Sequence, residues 1–123
     1  MSLIQMSAEC EKYFLDNWSS TPIHRQDTNF EYDSLDKWIA LAFNPTINQR
    51  LGSDRILHNG LQSVFCYHRK RILAIKLADE VATFFKCKDL PYDIRVDIGQ
   101  YGNPTDIDNG FWEVKVNFAV AQY

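Results

Sequence analysis

The clearest pattern in the chain lies in residues 111–123. Trp112, Val114, Val116, Phe118 and Val120 alternate with Glu113, Lys115 and Asn117. Strict period-two alternation marks a strand with one buried face, so this stretch belongs to the core. Residues 38–43, Trp-Ile-Ala-Leu-Ala-Phe, are nearly continuous apolar sequence. They predict an inner strand covered on both faces. Residues 62–68 predict another strand. Ile94, Val96 and Ile98, alternating with Arg95 and Asp97, predict a further one. Two stretches carry the helical period instead. Met6, Cys10, Tyr13, Phe14 and Trp18 predict a helix over residues 3–17, with Ser2 and Gln5 as a capping box. Leu73, Leu77, Val81, Phe84 and Phe85, flanked by Ala74, Ala78 and Ala82, predict a second over residues 69–86.

Turn residues divide these elements. Ser19-Ser20-Thr21-Pro22 stops the first helix, and Asp89-Leu90-Pro91 follows the second. Residues 23–36 are polar and irregular, with Phe30 and Tyr32 as a candidate short edge strand. Asn44-Pro45 opens a long loop over residues 46–60, which contains Arg50, Asp54 and Arg55 and closes on a turn at Asn59-Gly60. Residues 99–110 form a turn-rich loop. The expected order is α-β-β-α-β-β. This is an α+β fold: one domain over residues 1–123, with a single four-stranded core sheet and two helices packed on it.

Composition narrows the functional classes. The 123 residues fit one domain, and 46% hydrophobic with 24% charged residues is a globular balance. A net charge of −3 gives the whole chain no attraction to nucleic acid or to an anionic membrane. No apolar run approaches a membrane span, and Glu9, Glu11 and Lys12 interrupt any secretory-signal pattern at the start. Cys10, Cys66 and Cys87 are odd in number, so free and mostly buried thiols are expected. No C-x-x-C or H-x-x-x-H spacing joins them to His24, His58 and His68. Asp106-Ile107-Asp108-Asn109-Gly110 starts like a calcium loop, but Asn117 stands where the closing carboxylate would be. There is neither a nucleophile elbow nor a Gly-rich phosphate loop. The expectation is a non-enzymatic protein without metal or cofactor.

Arg69-Lys70-Arg71 is the candidate chemistry. These cations fall where the second helix begins, the end at which the helix dipole disfavours positive charge. A solvated helix start is one reading. The other is a contact with an acidic surface, such as a neighbouring copy of this acidic chain. The loop residues Arg50, Asp54 and Arg55 are candidates of the same kind, because arginine's planar donor fork suits carboxylates at interfaces.

Several stretches together resemble one family. Asn17-Trp18-Ser19-Ser20-Thr21-Pro22-Ile23 follows an amphipathic helix. Trp38-Ile39-Ala40-Leu41-Ala42-Phe43-Asn44-Pro45 precedes Gln49-Arg50-Leu51-Gly52. Gly60 and Phe65 lie in the second strand, Ala74-Ile75-Lys76-Leu77-Ala78-Asp79 leads to Phe84-Phe85, and Trp112-Glu113-Val114-Lys115-Val116-Asn117-Phe118 closes the chain. In order and pattern the chain resembles the tail terminator (tail completion) proteins of long-tailed bacteriophages, with a longer turn at residues 102–110. The resemblance implies a structural virion protein assembled in the bacterial host cytoplasm. It would form a homo-oligomeric ring of six copies on the tail tube protein. The ring would stop tube polymerisation and present a surface to the head–tail connector protein. DNA would only pass through its lumen, and no membrane would be involved. Two alternatives stay open: another neck or minor tail component such as a head-closure protein, and a small-molecule-binding α+β domain.

Overall fold

A computed structural model describes residues 2–26, 28–46, 49–50, 56–107 and 109–122. Helix α1 spans Ser2–Asn17 and helix α2 spans Arg71–Phe85. The strands are β1 Ile23–His24, β2 Lys37–Pro45, β3 Gln49–Arg50, β4 Ile56–His68, β5 Asp89–Leu90, β6 Ile94–Tyr101, β7 Thr105–Ile107 and β8 Phe111–Gln122. The main path of the sheet is β1-β2-β4-β8-β6-β5, with β3 paired to β4 and β7 paired to β8. Among the described residues only β1–β2 is parallel, so the sheet is mixed.

This overturns the expected four-stranded sheet. The additional strands are two or three residues long, too short to show any alternation. Backbone pairing to a long neighbour makes them strands, and that information is not local. Residues 46–60 are also not one long loop. Gln49 pairs with Leu57 and Arg50 with Ile56, so β3 folds back on β4. Asn59 and Gly60 lie inside β4, with Gly60 between Pro45 and Val120. The glycine serves a close approach there: a Cβ would lie 2.1 Å from Phe43 Cζ.

The helices cover one face of the sheet. On α1, Met6, Cys10 and Phe14, with Trp18 just past its end, recur every fourth residue and are buried. On α2, Ala74, Leu77, Ala78, Val81, Ala82 and Phe85 are buried. The small alanines let α2 lie close to the sheet, and the rings of Phe14, Phe85 and Phe118 meet at 4.8 and 5.0 Å. From the sheet come Ile39, Val64, Cys66, Val114, Val116, Phe118 and Val120. Ile98 does not join them and is 59% exposed. The register shifts between Val96 and Gly99, and this bulge breaks the alternation that would carry Ile98 inward.

Among the described residues, the opposite face is covered at one end only. Trp38 is buried there, stacked on Tyr67 at 3.9 Å and on Tyr32 at 5.1 Å, with Phe30 at 5.2 Å and the edge of Phe111 at 6.2 Å. Phe30 and Tyr32 are therefore ring contacts from an irregular segment, not the expected edge strand. Ala40, Ala42, Leu61 and Phe65 on this face are half-buried, so β2 is not covered along its full length on both sides.

Candidate interaction surfaces

The basic stretch splits in two. Arg69 is committed within its own molecule. Its Nε donates to Leu35 O at 3.1 Å and its Nη2 to Asp33 O at 2.8 Å. Its guanidinium lies 4.4 Å from the centre of the Phe111 ring, and Asp36 Oδ1 is 3.7 Å away. Arg69 thus ties the irregular segment before β2 to the aromatic cluster, a local reason the sequence pattern does not display. Lys70 and Arg71 are exposed. Lys70 is the N-cap of α2 in an extended conformation and makes no side-chain cap, as expected of a side chain without an acceptor. Its backbone N–H lies 3.2 Å from His68 Nδ1.

The β2–β4 register sets Lys37 opposite His68, and α2 brings Lys76 to the same cleft. This cleft encloses about 210 Å³ and has Leu73 and Leu77 in its wall, with Glu80 at its border. Burial, then the nearby positive charge of Lys37, holds the His68 pKa below its ordinary value, with Lys70 acting in the same direction and Asp36 against it. The imidazole is therefore held toward its neutral form by burial first and by the neighbouring lysines second. Neither Lys37 nor Lys76 stands out in the sequence. Only strand register and helix placement gather them around His68.

Of the loop candidates, Asp54 and Arg55 lie outside the described residues. Arg50 contributes backbone to β3, and nothing is described of its side chain.

Two further surfaces are open. On the uncovered sheet face, Ser63 Oγ donates to Asn117 Oδ1 at 2.7 Å and Tyr67 Oη to Glu113 Oε2 at 2.8 Å. Lys115 Nζ lies 5.4 Å from the Phe65 ring centre. The second surface is the outer edge of β6 and β7. Strand β5 pairs only with Ile94 and Arg95, leaving Ile98 and Tyr101 59% and 54% exposed. Gly102 N donates to Lys115 O at 2.7 Å, so β6 and β7 run beside β8 as one interrupted edge.

Between α1 and β2 lies a cleft of about 400 Å³ lined by Ile4, Ala8, Glu11, Gln26 and Phe43. Gln26 spans it, donating to Ser7 Oγ at 3.2 Å and accepting from Phe43 N at 2.7 Å. Among the described residues no three His, Cys, Asp or Glu side chains converge as a metal site, and no helix is long and apolar enough to cross a membrane.

No family model and no curated protein matches the chain. Solved structures share its fold. One, which bears no descriptive name, has a TM-score of 0.69 at 20% identity, over 99% of this chain and 95% of that one. Another is a chain of the virion of a native gene transfer agent (GTA) particle. It has a TM-score of 0.62 at 10% identity, over 94% of this chain and 92% of that one.

Proposed function

We propose that this chain is a structural protein of a tailed, phage-like virion. In this reading it assembles as a ring on the end of the tail tube, stops tube polymerisation and offers the surface to which the head connector joins. It acts as a building block and catalyses nothing. The observation that carries the virion role is the fold shared end to end with a chain of a virion particle. The tail-end position and the count of six copies come from the resemblance of the apolar stretches and the loop and turn residues between them. The tail tube protein and the connector protein are the implied partners, and DNA passes through the lumen.

The physical arrangement suits this role. A closed ring needs a heterologous interface, in which one patch meets a different patch on the next copy. The chain offers unlike surfaces on separate sides: a cationic cleft beside β2 and an exposed, partly apolar edge at β6 and β7. A net negative charge also suits a channel through which DNA must slide without sticking.

The test is deletion of the gene from the genome that encodes the particle. Tails of uncontrolled length that fail to join heads are the expected result. Tails of normal length that fail to join heads would place the chain at head closure instead. Normal infectious particles lacking the protein would overturn the proposal.

A further inference from the structure

The register of β6 on β8 fixes which backbone groups at its far end are in use. Gly102 N donates to Lys115 O at 2.7 Å, and Tyr101, Gln100 and Gly99 face Val116, Asn117 and Phe118 in turn. Hydrogen-bonded and non-bonded pairs alternate along an antiparallel ladder. Gln100 therefore bonds to β8, whereas the N–H and C=O groups of Gly99 and Tyr101 point away from it. Among the described residues, no strand or turn pairs with those outward groups. Cover for β6 stops short of them. Strand β5 pairs with Ile94 and Arg95, Lys88 O accepts from Val96 N at 2.9 Å, and Cys87 N reaches Asp97 O at 3.5 Å. Gln100 and Tyr101 are exposed.

The opposite margin of the sheet is treated differently. There Pro22 O accepts from Ile39 N at 3.1 Å, and β1 pairs with Ile39 and Ala40. The Gln26 side chain continues that row of acceptors, with its Oε1 taking Phe43 N at 2.7 Å while its amide nitrogen is held by Ser7. Pro45, the next residue facing that way, has no N–H to offer. A short cover strand and a proline are among the means by which sheets close an edge against strand addition, and edge lysines are another. Gly99 to Tyr101 has neither cover nor lysine. Between Arg95 and Lys115 the chain carries no cation at all. The bulge before Gly99 and Pro104 beyond Tyr101 limit the open stretch to a few residues.

We infer that this stretch receives an extended segment of another protein of the particle, which adds to the sheet as a strand beside β6. Outward N–H and C=O groups two residues apart are what an extended peptide pairs with. The sheet edge of a second copy does not fit. Its margin at β2 is closed, and two 99–101 edges pair only about a two-fold axis, which stops at a dimer and builds no ring. The incoming segment is short and has no proline at its paired positions. It is neutral or basic, since Asp97 borders the stretch and no cation does. This rests on the virion reading above and names one partner contact within it. Ile98 on one flank and β7 on the other stay open to the next copy.

The test is amide hydrogen exchange of the full chain, alone and bound to tails purified from the deletion genome. Binding is read first, by cosedimentation. In the free chain the amides of Gly99 and Tyr101 should exchange quickly and that of Gln100 slowly. On tails, Gly99 and Tyr101 should slow by about tenfold or more. A variant adds a second reading. Tyr101→Pro removes one outward N–H and leaves the ladder to β8 intact, so it should fold and bind tails about tenfold more weakly. Tyr101→Phe keeps that N–H and should bind like the unaltered chain. The exchange measurement needs no variant, so it decides the matter even where Tyr101→Pro fails to fold.

Two results would overturn the inference and leave the virion reading standing: bound chain whose Gly99 and Tyr101 amides still exchange quickly, or protection of both that rises with protein concentration in the chain alone, which would make the occupant a second copy. A chain that does not bind tails at all contradicts the virion reading, and the partner inferred here falls with it.

Discussion

Two glycines next to β8 have opposite roles. A Cβ at Gly99 would lie 2.7 Å from Val116 Cγ1 and 2.9 Å from Phe118 Cε1, both on fully buried side chains. Gly99→Ala should therefore destabilise the protein by about 1–3 kcal/mol through overpacking. At Gly102 the nearest atom would be 3.5 Å away, an ordinary contact. Gly102→Ala should change stability by less than about 0.5 kcal/mol. Denaturant unfolding of the two variants checks the pair, and equal effects would contradict the packing described at Gly99.

The thiols separate in the same way. Burial, with Glu9 adding a little, pushes the Cys10 pKa up to about 12, and burial raises that of Cys66 as well, whereas Cys87 is exposed. One thiol per chain should react quickly with a thiol reagent in the native protein, and all three should react after denaturation. The sequence pattern anticipates buried cysteines, because Cys10 sits on the apolar stripe of α1. It does not show that Cys87 lies just past the end of α2 with a positive φ of 55°.

At the scale of elements, regularity decided what could be read in advance. Both helices and the long strands repeat their apolar residues over several turns or pleats, and such repeats survive as pattern. The short strands at Ile23–His24, Gln49–Arg50, Asp89–Leu90 and Thr105–Ile107 exist only through their partners. The irregular segment before β2 was equally opaque. Its order comes from rings stacked on Trp38 and from the Arg69 hydrogen bonds, which cross 34 and 36 residues. Trp38→Ala should cost about 3–5 kcal/mol, the usual loss for a buried large aromatic. Arg69→Ala should cost about 1–2 kcal/mol, and Arg69→Lys should not recover it, since one ammonium cannot reproduce the fork that reaches Leu35 O and Asp33 O. Thermal unfolding of the three variants checks this order.

At the scale of the molecule, pattern placed the core and not the candidate contact surface. Lys70 was visible in a charge run, but its companions at the cleft, Lys37 and Lys76, are isolated in sequence. The register that sets Lys37 against His68 collects them. Arg69, the first residue of that run, faces inward to its own chain. The exposed edge at Ile98 was hidden for a related reason: its alternation reads as buried until the bulge is known. The ring proposal draws on both surfaces, and its central claim concerns location. The most direct measurement is cryo-electron microscopy of purified tails from the encoding particle. The account predicts density fitting this fold in a single closed ring at the head-proximal end of the tube. Density for the chain along the tube, or its absence from complete tails, would contradict it.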